Sequence, residues 1–240
     1  MLRYLPNTIN MDSLRLKKWI PKAVKRPIKD ALLRQRLNSA IREIGSLAAG
    51  RLPSRALLGT LIEGWSNDGY VANIDYLEEV ARRTIETRGS ILECGSGVTT
   101  ILMGTLCAKL KTRVWSLENS PEWRKRIMKV LSTNGVSCAH ICHAPLIDYG
   151  DYSWYDPPLA DLPNEFSLVI CDGPPGATKG GRYGLLPVMR ERFHEGTTVL
   201  LDDAGRPGEI DLIRRWESEE RFESNITDRA GHVFAVMRLV

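Results

Sequence analysis

Apolar residues recur along this chain with two different periods, and the change from one to the other divides it. From Leu14 to Ala48 they fall at roughly helical spacing, through Leu16, Trp19, Ile20, Val24, Ile28, Leu32, Leu37, Ile41, Ile44 and Ala48, a stripe that one helical face can bury. Pro21 and Pro27 interrupt it, and proline has no N–H to donate in a helix interior. The pattern therefore predicts short broken helices, then a longer one from about Pro27 to Ala48. Gly50, Pro53 and Ser54 make a break, Ser66–Gly69 spells a turn, and Asn73 or Asp75 is placed to cap a helix running to about Thr87.

After Gly89 short apolar runs alternate with helical patterns. Strands are predicted at Ser90–Cys94, Arg113–Leu117, Ser137–Cys142, Phe166–Cys171 and Thr197–Leu201, and helices at Val98–Lys109, Pro121–Ser132, Leu185–Phe193 and Glu209–Ser218. Residues 144–164, rich in Pro, Asp, Tyr and Trp, read as a long functional loop. Phe222–Thr227 and His232–Leu239 look like two closing strands with no helix between them. Such alternation predicts an α/β, Rossmann-like doubly wound, mostly parallel sheet with helices on both faces and an antiparallel edge. A basic helical N-terminal arm over 1–60 precedes this domain, which takes 61–240.

Composition adds limits. The 240 residues are 43% hydrophobic and 26% charged, enough to bury a real core. The chain offers no long uncharged apolar run and no signal-peptide layout, and its five cysteines read as buried reduced thiols, so a cytoplasmic location is expected. The net charge of +4 is uneven: Arg15–Arg36 holds nine basic residues and one acid, +8 in total, which leaves −4 for the rest. With Trp19, Ile20 and Ile28 interleaved, this arm suits an anionic membrane surface. It equally suits a solvated helix face, a lid or a homodimer contact. No RNA-binding module is present, so no nucleic-acid partner is expected.

The sharpest local signal is Ile91-Leu-Glu93-Cys-Gly95-Ser96-Gly97-Val-Thr-Thr100. An apolar strand enters Gly-x-Gly and then a helix, so the backbone can turn tightly and approach a ligand, and the free amides at the helix start favour an anionic or carboxylate-bearing group. Glu93 precedes the glycines. Glu118 ends the next strand, where an acid can take both hydroxyls of a ribose. A nicotinamide dinucleotide would use a similar layout, but Thr100 stands where its fingerprint has a third glycine.

Together these residues resemble the class I S-adenosylmethionine-dependent methyltransferases. Glu93-Cys-Gly95-Ser-Gly97 is similar to the family's first motif, Glu118 falls where its ribose-binding acid lies, and Phe166–Asp172 followed by Gly-Pro-Pro is similar to its fourth motif. The resemblance covers about residues 89–240. It implies a seven-stranded sheet whose last strand runs antiparallel, with S-adenosylmethionine held by Glu93, Gly95, Ser96, Gly97, Glu118, Asn119 and Asp172. Within it, Glu93 orients the methionine amino group through the turn, and His143–Leu146 lies near the adenine.

Three carboxylates should meet at the carboxyl ends of the strands, where open α/β sheets bind ligands: Asp172 after the fourth strand, and Asp202 and Asp203 after the fifth. Like charges repel unless a cation or a proton intervenes, and three oxygen donors suit Mg²⁺. The layout is similar to catechol-type and sugar O-methyltransferases, in which such acids hold a metal that acidifies a substrate hydroxyl. Gly173-Pro174-Pro175-Gly176 departs from that pattern. Three readings stay open: a metal site of Asp172, Asp202 and Asp203; Asp172 as a general base without metal; or Asp202 or Asp203 as a helix cap. The Gly176–Tyr183 loop, with Lys179 and Arg182, reads as a flexible cationic flap over an anionic substrate or as a solvated loop. His143, His194 and His232 are further base candidates, and Trp65, Trp154 and Tyr155 candidate pocket walls.

The expected activity is thus methyl transfer to a hydroxyl of a small molecule or glycan. The amide-methylating Asn/Asp-Pro-Pro-aromatic motif is absent, because Gly173 separates Asp172 from Pro174. A nucleotide-dependent oxidoreductase and a methyltransferase-fold scaffold without activity are the alternatives.

Overall fold

The computed structural model of the chain describes residues 22–65 and 72–240. The expected break at Pro21, the turn at Ser66–Gly69 and the basic arm before Lys22 lie outside them. Three helices come first: α1 (Lys22–Ser46), α2 (Arg55–Trp65) and α3 (Ile74–Glu86). Then follow β1 (Ile91–Cys94), α4 (Val98–Cys107), β2 (Val114–Glu118), α5 (Pro121–Thr133) and β3 (Ala139–His143). A small hairpin of β4 (Leu146–Asp148) and β5 (Ser153–Tyr155) leads to β6 (Phe166–Cys171), α6 (Leu185–Met189), β7 (Phe193–Leu201), α7 (Pro207–Glu219), β8 (Phe222–Arg229) and β9 (His232–Leu239).

Seven strands form one sheet in the order β3-β2-β1-β6-β7-β9-β8. The β1–β2, β2–β3, β1–β6 and β6–β7 pairs are parallel, and β9 runs antiparallel to both of its neighbours. Strand order reverses between β1 and β6, so the crevice where such sheets take ligands opens above Cys94 and Cys171. Alternation sorts the core. Ile91, Val114, Leu168, Ile170 and Leu200 pack on Tyr76, Val80 and Met103 of α3 and α4. Leu92, Leu117, Val169, Val199 and Leu201 face Leu185, Leu212 and Trp216 on the other side, as period-2 side chains must.

Over its described part the N-terminal segment is packed, not free. Leu37, Ala40, Ile41 and Ile44 of α1 and Leu57, Leu58 and Leu61 of α2 share one core with Leu77, Ile101, Leu102 and Ile127. Residues 26–36 stay exposed apart from Leu33, Ile28 and Leu32 included. Trp65 is buried edge-on against Trp123 of α5, with the Arg126 guanidinium 4.3 Å from its ring centre.

Three elements differ from the expectation. α1 runs unbroken through Pro27; the proline withholds one intrahelical bond, and the rest of the 25-residue helix carries on past it. The helix expected to reach Phe193 stops at Met189, and β7 begins at Phe193 instead of Thr197. Here Phe193 pairs with Phe166 across a register shift, Gly196 turns at φ +92°, and Thr197 Oγ1 donates to Phe166 O. The 144–164 stretch is not an open loop: it holds the β4–β5 hairpin and a short 3₁₀ turn at Leu159–Asp161. Asn73 does cap α3, its Oδ1 accepting from Asp75 N at 2.7 Å. No described helix is long and apolar enough to cross a membrane.

Candidate active site

The Gly turn leaves β1 with Gly95 at φ +87°, a left-handed geometry that an L side chain rarely adopts. Gly95 N donates to Leu117 O at 3.0 Å, so the turn is pinned to β2 as it begins. Glu93 has no exposed surface. Its carboxylate accepts from Thr99 Oγ1 at 2.5 Å and Thr100 Oγ1 at 2.6 Å, and Thr100 Oγ1 accepts in turn from Gly97 N at 2.8 Å. Glu93 therefore braces the turn and the start of α4 from below. Burial pushes its carboxyl up to about 7, against the lowering pull of Thr100 and Thr99.

Glu118, buried at the end of β2, faces the turn from the side. One carboxylate oxygen accepts from Ser96 N at 3.1 Å and Ser96 Oγ at 2.6 Å, the other from Ser120 N at 2.8 Å. Trp123 Nε1 donates to Ser96 O at 2.6 Å from α5. Asn119, half-buried, follows in the turn into α5. Ala144 N donates to Glu118 O at 2.9 Å, which places the start of 144–146 beside the same acid. At Gly97 an added Cβ would meet nothing nearer than Thr99 Oγ1 at 4.0 Å, so this backbone borders open space.

Such a seat fits S-adenosylmethionine. A tight backbone turn with helix-start amides suits a carboxylate, and a buried acid on the neighbouring strand end suits a ribose diol. The third wall includes Tyr155, one of the aromatics expected to line a pocket, and Gly173, which the sequence did not place there. Gly173 lies so close to the turn that an added Cβ would stand 3.1 Å from Gly95 Cα and 2.3 Å from Tyr155 Oη. Tyr155 is buried at the end of the hairpin, and its hydroxyl points at the crevice floor between β1 and β6.

The acids of the strand ends do converge. Asp172 N donates to Cys94 O and Asp202 N to Cys171 O, which continues the sheet ladder past the strands. The Asp172 side chain keeps 46% of its surface open. Loss of solvation within the surrounding protein first, and Asp202 second, push its carboxyl up to about 7, against Arg182. Asp202 is buried, and its Oδ1 is 2.7 Å from His232 Nε2. Asp203 stands at φ +55°, with Oδ2 2.8 Å from Arg206 Nη1. Neither Asp202 nor Asp203 caps α7: its N-cap is Arg206, with no side-chain cap bond.

Among these acids lies a guanidinium. Arg182, its side chain 3% exposed, donates from Nη2 to Asp172 Oδ1 at 3.1 Å, Asp172 O at 2.9 Å and Asp203 Oδ2 at 3.2 Å. Nη1 donates to Asp202 O at 2.5 Å and lies 3.7 Å from Glu209 Oε1. Asp202, Asp203 and His232 do offer donor atoms within 4.8 Å of one another. Yet Asp172 Oδ1 and Asp203 Oδ2 are already engaged by a fixed cation, and a divalent ion would have to displace it or sit beside it. As it stands, the set Asp172, Asp202 and Asp203 does not fit Mg²⁺.

The Gly176–Tyr183 segment is fastened rather than free. Lys179 bonds Gly150 O and lies 3.6 Å from Asp148, Ser153 N donates to Lys179 O, and Tyr183 Oη donates to Glu219 at 2.8 Å. His143 is exposed at the end of β3, beside Glu118 in register. His194 contacts Ser167 at the far end of the sheet, away from the mouth. Only His232 of the three joins the acid cluster.

Comparison with solved structures agrees with this architecture. A precorrin-6y C5,15-methyltransferase from Geobacter metallireducens superposes with TM-score 0.55 at 11% identity, over 72% of this chain and 91% of its own. A methyltransferase from Podospora anserina, bound to S-adenosylhomocysteine, gives TM-score 0.54 at 14% identity over 100% of both chains. The fold is that of the class I methyltransferases. An O-methyltransferase from Bacillus cereus in complex with S-adenosylhomocysteine is similar too, with TM-score 0.54 at 15% identity over 95% of this chain and 96% of its own. No protein-family model matches the sequence, and no curated protein does.

Proposed function

We propose that the chain is an S-adenosylmethionine-dependent methyltransferase acting on a hydroxyl of a small molecule or glycan. The observation that carries the reading is the left-handed Gly95 turn set against the buried Glu118 carboxylate, a backbone seat with a diol acceptor beside it. Gly95, Ser96 and Gly97 would lie under the cofactor, Glu118 would take the ribose hydroxyls, and Glu93 would hold the turn in shape through Thr99 and Thr100. When bound, the sulfonium supplies an electrophilic methyl group. Asp172 lines the mouth beside this seat, and a carboxyl near neutral matches proton abstraction from a hydroxyl. Gly173, between Asp172 and Pro174, separates the chain from the amide-methylating motif and favours oxygen as the acceptor.

The reading is tested by incubating the protein and S-adenosylmethionine with a panel of hydroxylated small molecules and glycans and recording methyl gain by mass spectrometry. A methylated acceptor formed by wild type, with Asp172→Asn reduced about 100-fold or more, is expected from the usual share of a general base. Equal transfer by Asp172→Asn removes Asp172 from the chemistry.

A further inference from the structure

Four acids, Asp172, Asp202, Asp203 and Glu209, crowd the ends of β6 and β7 and the first turn of α7. In a site that holds a divalent metal such acids point at an ion about 2.1 Å away and keep water for the substrate. Here the ion's place in the charge balance is taken from within the chain. The Arg182 guanidinium reaches three of the acids with side-chain contacts of 3.1, 3.2 and 3.7 Å and ties the backbone carbonyls of Asp172 and Asp202 together. Its Nε is buried without a hydrogen-bond partner, so Nη1 and Nη2 make all of the guanidinium's hydrogen bonds. Arg206 adds a second positive charge on Asp203. A guanidinium stays charged at all working pH values and makes directional bonds to carboxylates.

We propose that Arg182 is the resident cation of this site, standing in for a divalent metal, so that the protein neither needs nor binds one between Asp172, Asp202 and Asp203. Arg182 is then a positioning residue: it holds Asp172 through Oδ1 and leaves the rest of that side chain open to the mouth. A metal bound to the same acids would have to break the Arg182 contacts and lie against a buried positive charge. Removing the guanidinium leaves only Arg206, on Asp203, to balance these acids, and the site should then accept the metal that it now rejects.

The inference refines the methyl-transfer reading of the mouth, but its test needs no cofactor, so the two can fail separately. Mn²⁺ is titrated into the full chain and the free ion followed by electron paramagnetic resonance, for wild type, Asp203→Asn, Arg182→Met and Arg182→Met combined with Asp203→Asn, with circular dichroism to check folding. Wild type should leave Mn²⁺ free. Arg182→Met should bind about one ion per chain, at least tenfold tighter than wild type, and the double variant should lose it. Stoichiometric binding by wild type that Asp203→Asn abolishes overturns the proposal, as does a folded Arg182→Met that binds no better than wild type. If Arg182→Met does not fold, the wild-type titration decides alone: site-specific binding overturns the proposal, and its absence upholds it.

Discussion

Glu93 and Gly173 show how single residues shape the crevice. Glu93 lies beneath the turn with its carboxyl raised from the ordinary 4.5 to about 7, chiefly by burial. The native state therefore keeps a proton that the unfolded state gives up at lower pH, so this group's contribution is fully present below about pH 4.5 and is lost as pH rises through about 7. Asp172 adds a dependence of the same sign. Glu93→Gln, a neutral isostere, should flatten the fall in stability between about pH 4.5 and 7, measured as the urea midpoint at a series of pH values; a profile parallel to wild type would contradict the assignment. Gly173→Ala would place its Cβ 2.3 Å from Tyr155 Oη and 3.0 Å from Cys94 O. Overpacking of this kind costs about 1–3 kcal/mol, so urea unfolding should show a loss of that size, and an unchanged midpoint would mean that the crevice floor is looser than the structure has it.

The elements were legible where one local rule decided them. α5 starts at Pro121 as expected, with Ser120 as the cap that the structure adds, and the apolar run Phe166–Cys171 is β6 to the residue. Where a distant partner decides, the pattern runs out. Phe193 reads as the end of a helix because only its pairing with Phe166, 27 positions back, makes it a strand residue. Arg182 reads as a loop cation because the acids that bury it lie 10 to 27 positions away. The seat formed by Glu93, Gly95, Ser96, Gly97 and Glu118 was visible, since strand, turn and next strand end are close in sequence. Tyr155 was legible only as a candidate pocket wall, and its approach to Gly173, like the place of the guanidinium, was not, since these groups meet the seat only through the topology. The same holds for α1 on α2: Gly64 lets the two helices approach so closely that an added Cβ would lie 2.5 Å from Leu37 N. That neighbour is backbone and cannot swing aside, so Gly64→Ala should destabilise by about 1–3 kcal/mol in urea unfolding. A neutral result would show that the helices are free to slide apart.

At the scale of the whole molecule, the fold brings three separate stretches to one switch point: the turn after β1, the acid after β2, and Asp172 with its guanidinium partner after β6. The N-terminal helices stiffen this arrangement from one side through the core they share with α4 and α5. The central claim is that the crevice holds S-adenosylmethionine through Glu118. Calorimetric titration of the full chain with S-adenosylhomocysteine, for wild type and Glu118→Ala, tests it most directly. Micromolar binding, about −8 kcal/mol, weakened about tenfold or more in the variant, is the predicted result. Folded wild-type protein that takes up no S-adenosylhomocysteine, or a Glu118→Ala variant that binds it equally well, would contradict the account.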